Sequence, residues 1–166
     1  MTTPPGNPQG PKLNPRPWSP HLLRSFLMGD ATLADLEGVS AKTLYEIAEI
    51  GYFYLEQGRV DVAKTIFTGL NVLDPLDSYF STALGAIAQR QGDLEKAEGH
   101  YNDALKENPQ MITALANRGD VRLQLQRLEE GLADLKQAAE LDPRRTDPSA
   151  PRTKMLLEAF SKLAAS

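Results

Sequence analysis

Apolar residues recur at three- and four-residue intervals through most of this chain, and each run reads as one face of a helix. Leu44, Ile47, Ile50 and Tyr54 form one such face, Phe67, Leu70, Val72 and Leu73 a second, and Phe80, Leu84 and Ile87 a third. Prolines at 75, 109 and 143 punctuate the runs. Proline lacks an amide hydrogen and drives the residue before it out of the α region, so a helix should end just before each. Asp77 or Ser78 can cap the helix that follows, and Ser40 the first of the series. The pattern predicts helices at about 41–57, 60–73, 78–91, 93–107, 111–125 and 128–141, and an all-α chain.

The punctuation is periodic. Pro75, Pro109 and Pro143 stand 34 residues apart, as do Gly51, Gly85 and Gly119. The sets Ala63/Ala97/Gly131, Phe67/Tyr101/Leu135 and Leu70/Ala104/Ala138 keep the same period. That period, with small residues where two helices must approach closely, is the signature of the tetratricopeptide repeat. Gly51, Gly85 and Gly119 should let the second helix of each pair come close, with the small residue at 63, 97 or 131 as packing partner. The expected architecture is a solenoid of three helical hairpins, about 44–77, 78–111 and 112–145, within residues 40–145. Its concave face is lined by the first helix of each pair. Gln126 replaces the glycine found at 58 and 92, so the last turn is less ideal.

The flanks read differently. Residues 1–18 hold six prolines and should be disordered. Residues 19–39 form an N-terminal helical segment. Ser19-Pro20 opens a helix through Met28, closed by Gly29; Asp30 or Thr32 caps a shorter one through Glu37. The first exposes Leu22, Leu23, Phe26 and Leu27, which must pack on the first repeat or on a second copy, making a homodimer contact. At the other end, residues 150–166 carry an amphipathic helix (Met155, Leu156, Leu157, Phe160, Leu163) that should cap the open end of the third repeat, with Arg144, Arg145, Arg152 and Lys154 as a solvated loop.

Composition removes several functions. There is no cysteine, hence no disulfide or thiolate site, and no apolar run long enough for a membrane span. The formal net charge of −4 disfavours a nucleic-acid partner. His21 and His100 are far apart and lack convergent ligands, so no metal site or cofactor is expected. Without a phosphate loop or a nucleophile–base pair, the chain does not read as an enzyme. Arg118 and Arg122 should pack their stems and pair with Glu129, Glu130 or Asp134. A soluble cytoplasmic protein is the expectation.

The concave face is then the informative surface. Tyr45, Ala48, Glu49, Tyr52 and Leu55 from the first repeat, Tyr79, Thr82, Ala86 and Gln89 from the second, and Asn117, Asp120 and Leu123 from the third should line it. Aromatic anchors, small residues and amides suit an extended peptide.

The run Phe67-x-x-Leu70-x-Val72-Leu73-Asp74-x-x-Asp77-Ser78-x-Phe80-x-x-x-Leu84-Gly85-Ala86-x-x-Gln89-x-x-Gly92 closely resembles the middle of the class II type III secretion chaperones, which bind the translocator proteins of that system. Thr32-Leu33-Ala34-Asp35-Leu36-Glu37-Gly38 is similar to the family's entry segment. The resemblance implies a cytoplasmic three-repeat protein that dimerises through its N-terminal helices and holds an extended translocator segment in its groove. It places Ala48, Tyr52 and Leu55 at the first groove pockets and Phe80 and Gln89 near the second. Family members often carry aromatic residues where Ala48 and Leu55 stand, so the pockets here should accept different side chains. The third repeat reads as a generic one, which keeps open a second reading, an adaptor joining two proteins with no chaperone role.

Overall fold

The computed structural model describes residues 19–164, with side chains through Lys162. The proline-rich stretch 1–18, expected to be disordered, and Leu163 as part of the capping face both lie outside what is described. Among the described residues there are nine helices: α1 (Pro20–Met28), α2 (Leu33–Glu37), α3 (Ala41–Glu56), α4 (Val60–Leu73), α5 (Ser78–Arg90), α6 (Leu94–Glu107), α7 (Ile112–Gln124), α8 (Leu128–Leu141) and α9 (Ala150–Ala164).

Their ends follow from the local chemistry. Ser19 accepts the Leu22 amide at 3.1 Å ahead of Pro20, and α1 closes at Gly29 in the left-handed region. Thr32, rather than Asp30, caps α2 in a reciprocal box with Asp35: the Thr32 amide donates to the Asp35 carboxylate at 2.8 Å, and the Asp35 amide to the Thr32 hydroxyl at 3.2 Å. α4, α6 and α8 each stop one residue before the position preceding proline, with Asp74, Asn108 and Asp142 as C-caps. The hairpin turns at Gly58, Gly92 and Gln126 all have positive φ, of 74, 79 and 63°. Two of those turns have the residue that the conformation favours; the third forces it on a glutamine.

The three hairpins α3–α4, α5–α6 and α7–α8 stack in order, each first helix also packing on the second helix of the preceding pair. Each repeat is fastened where its glycine meets a large side chain. A Cβ on Gly85 would lie 2.5 Å from the Tyr101 ring, one on Gly51 2.7 Å from the Phe67 ring, and one on Gly119 2.8 Å from Leu135. The closest partner is thus the large residue at 67, 101 or 135, not the small one at 63, 97 or 131. Only in the third repeat does the small position join in, through the Gly131 carbonyl at 2.9 Å. Tyr101 and Phe67 are fully buried, and the glycines opposite them leave the space that their rings fill.

One helix face departs from expectation. Ile50, predicted to face the core, is 51% exposed, and Phe53 beside it is also exposed. The equivalent positions of later repeats, Leu84 and Arg118, are covered by the second helix of the repeat before. The first repeat has no such predecessor; α2 packs on α4 instead and leaves this face of α3 open.

Candidate functional site: the inner face of the first helices

Neighbouring first helices α5 and α7 touch, and α3 meets α5 through aromatic rings, so these three helices form the inner layer. Tyr45 and Tyr52 project from α3, one on each side of Ala48, and meet Tyr79 and Phe80 of α5. Tyr45 lies 5.6 Å from Tyr79 and 5.8 Å from Phe80, and Tyr52 lies 5.7 Å from Tyr79. Tyr52 also stands edge-on to the buried Phe67 ring at 5.0 Å. Such tilted contacts bring ring edges against ring faces and hold the cluster stiff. The Tyr45 hydroxyl donates to Asp77 at 2.6 Å, while the other oxygen of Asp77 caps α5 through the Tyr79 amide at 2.8 Å. That hydrogen bond to the carboxylate, with partial burial, pushes the Tyr45 phenol up to about 12. Burial, then the neighbouring Tyr79, raises the Tyr52 phenol as well.

Beyond the rings the face turns polar. Gln89 donates to Asp120 at 2.6 Å and accepts from the Tyr101 hydroxyl at 3.1 Å. Gln124 and Arg152 also donate to Asp120, at 3.0 and 2.6 Å. A cavity of about 420 Å³ opens here, lined by Ala86, Gln89, Arg90, Asn117, Gln124 and Arg152.

The predicted surface therefore divides. Tyr45 and Glu49 are exposed, and Tyr52, Tyr79, Ala86, Gln89 and Asn117 are half-buried along the inner layer. Ala48 and Leu55, expected at the first groove pockets, are only 1% and 4% exposed and belong to the core with Leu44 and Phe67. Phe80, placed by the resemblance near the second pocket, is also fully buried. Thr82 is buried, its hydroxyl donating to the Ser78 carbonyl at 2.7 Å. Asp120 is buried and does not itself line the cavity, but its donors Gln89, Gln124 and Arg152 do. Leu123 packs over Gly131 of its own hairpin rather than along the groove.

Charged residues carry the contacts that sequence patterns did not reveal. Arg152, expected in a solvated loop, sits in the first turn of α9 and reaches Asp120, because α9 begins earlier than its apolar residues indicate. Arg90 donates to the Leu55 carbonyl at 2.9 Å, closing the end of α3. On the opposite side of α7, Arg118 grips Asp134 at 2.7 and 2.8 Å. Arg122 bonds Asp134 and Glu98, both at 2.8 Å, and Arg127 bonds Glu98 at 2.6 Å. Arg122 also pairs with Glu130 at 3.7 Å, so Asp134 and Glu130 are the expected partners, Glu98 is an additional one, and Glu129 takes no part among the described contacts. Burial works to raise the Glu98 carboxyl, but the hydrogen bonds from Arg122 and Arg127 overcome it and hold it below its ordinary value.

The tetratricopeptide-repeat family model matches residues 49–112 and again 82–151, together more than half of the chain. The chain belongs to the tetratricopeptide-repeat family. Within it, 80 residues are 34% identical to low calcium response locus protein H of Yersinia pestis, 48% of each chain. The chain spans about half the length of that curated relative. Among solved structures, a type III secretion complex from Aeromonas hydrophila is similar with a TM-score of 0.74 and 28% identity, covering 86% of this chain and 97% of that one. The Yersinia enterocolitica type III secretion chaperone SycD, solved with a peptide of the translocator YopD, is similar with a TM-score of 0.66 and 26% identity, covering 77% and 98%. SycD is a type III secretion translocator chaperone, the kind of protein that the run from Phe67 to Gly92 resembles.

Proposed function

We propose that this repeat protein is a chaperone, not an enzyme, acting in the cytoplasm. It holds an extended segment of a secreted translocator-type protein along the inner layer of α3, α5 and α7 until type III export. The observation that carries the reading is the open aromatic edge of Tyr45, Tyr52 and Tyr79 running into a polar cavity at Asn117, on a scaffold whose solved relative holds a translocator peptide. Apolar side chains of the segment bury against the rings, each contributing about 1.5–3 kcal/mol before ordering costs. The amide side of Asn117 and the rim of the cavity meet its backbone. After the cost of fixing the peptide, a roughly micromolar Kd follows. Two copies associate through α1, whose Leu27 is 75% exposed with Leu23 and Phe26 beside it.

Calorimetry of the full chain against peptides tiled across a translocator-type protein tests this. Ala86 is half-buried on the inner layer, so Ala86→Trp fills the groove without emptying the core. A peptide from near the translocator's N-terminus should bind the parent, and Ala86→Trp should weaken it at least tenfold while leaving the helical melt in place. Equal binding by parent and variant would move the site off the inner face. Binding only by unrelated peptides would favour the adaptor reading.

A further inference from the structure

Four buried carboxylates stand out among the described residues, and one is solved differently from the rest. Asp134 is held by Arg118 and Arg122, whose side chains are largely buried within the repeats, and Glu98 by the same Arg122 together with the more exposed Arg127. Asp142 is satisfied locally, by the amides of Thr146 and Asp147, both at 2.9 Å. Asp120 is 5% exposed, and all three of its donors converge on one oxygen, Oδ2. Two of them, Gln89 and Gln124, are neutral. The one cation is Arg152, whose side chain is 58% exposed and comes from α9, the terminal helix, which packs on α7 and α8. Arg90, the other cation at the rim, is turned to the Leu55 carbonyl.

A carboxylate so buried needs a cation, but nothing in this arrangement requires that cation to be Arg152. Replacing one guanidinium by another keeps the charge balance and the forked donor geometry. Exchange costs little beyond freeing the first turn of α9, and the adjoining 420 Å³ cavity gives an incoming side chain room. We infer that Asp120 is a subsite for an arginine of the bound peptide, and that Arg152 occupies it in the free chain as an internal competitor that the peptide displaces. This rests on the groove being the peptide site. It adds a specificity determinant, a cationic residue lying on the third-repeat side of the apolar anchors, and a coupling between peptide binding and the position of α9.

The probe is an array of acetylated twelve-residue peptides of alternating leucine and serine, with one arginine, glutamine or glutamate walked along each, titrated against the full chain. Arginine at one position should bind about three- to tenfold tighter than glutamine there. Arg152→Gln should tighten the arginine peptides several-fold more than it changes the glutamine peptides. Asp120→Asn should abolish the preference. Arginine peptides, and not glutamine peptides, should also speed hydrogen exchange across α9. Leucine peptides that bind with no arginine preference in either the parent or Arg152→Gln would overturn the subsite and leave the groove standing. A preference for glutamate would overturn it too, making Arg152 the recognition group. If no peptide of the array binds either protein, the groove reading fails and the subsite with it.

Discussion

Gln126 holds the left-handed conformation that its counterparts Gly58 and Gly92 adopt without a side chain. The strain is local and removable, so Gln126→Gly should stabilise the protein by about 1 kcal/mol in urea unfolding. Glycines elsewhere answer to packing. Gly85→Ala places a methyl 2.5 Å from the Tyr101 ring and should cost about 1–3 kcal/mol, and Gly85→Leu more. Gly99, in the exposed middle of α6 with nothing within 4 Å of a new Cβ, should gain about 0.5–1 kcal/mol on becoming alanine. Should Gly85→Leu melt like the parent, the hairpin register is wrong. At this scale the sequence was legible wherever backbone dictates the residue: the 34-residue spacing of glycine and proline states where chains turn or touch. Exposure of single inner-face residues was not, because Ala48 and Leu55 differ from their exposed neighbours Tyr45 and Glu49 only in which side of a helix the next hairpin covers.

At the scale of elements, α7 is fixed on both sides by charge, inward from Asp120 to Arg152 of α9 and outward through Arg118 and Arg122. Glu98 joins α6 to that outer network. Its folded carboxyl titrates below the unfolded one, so its contribution is fully present above about pH 4.5 and is lost as pH falls through the lower folded value. Stability measured by urea unfolding should decline below about pH 4.5, and Glu98→Gln should flatten that decline. Helix α1 makes the opposite case. It packs on α2 and leaves Leu27 and Met28 open. Deleting residues 1–29 should convert a weak dimer to a monomer with its repeats intact, as read by sedimentation; a full-length chain that is monomeric at tens of micromolar would contradict this. The limits of α3 to α8 could be read almost to the residue because caps and prolines are local. Networks joining α6, α7, α8 and α9 could not, since Glu98 and Arg152 acquire partners only when distant turns stack.

For the whole molecule, three stacked hairpins turn a row of first helices into one continuous inner surface, aromatic at α3 and α5 and polar at α7. No single repeat contains that gradient; it exists because the solenoid sets Tyr45, Tyr79, Ala86 and Asn117 side by side. The central claim is that an extended translocator segment lies along this surface. The chain has no cysteine, so one introduced thiol carries one label. An environment-sensitive fluorophore would be placed in turn at Glu49→Cys and Asn117→Cys on the inner layer, and at Thr68→Cys on the exposed side of α4. Saturating translocator peptide should shift the emission of the two inner labels toward the blue and leave the α4 label unchanged. A shift at Thr68→Cys with none at Glu49→Cys or Asn117→Cys would contradict the account.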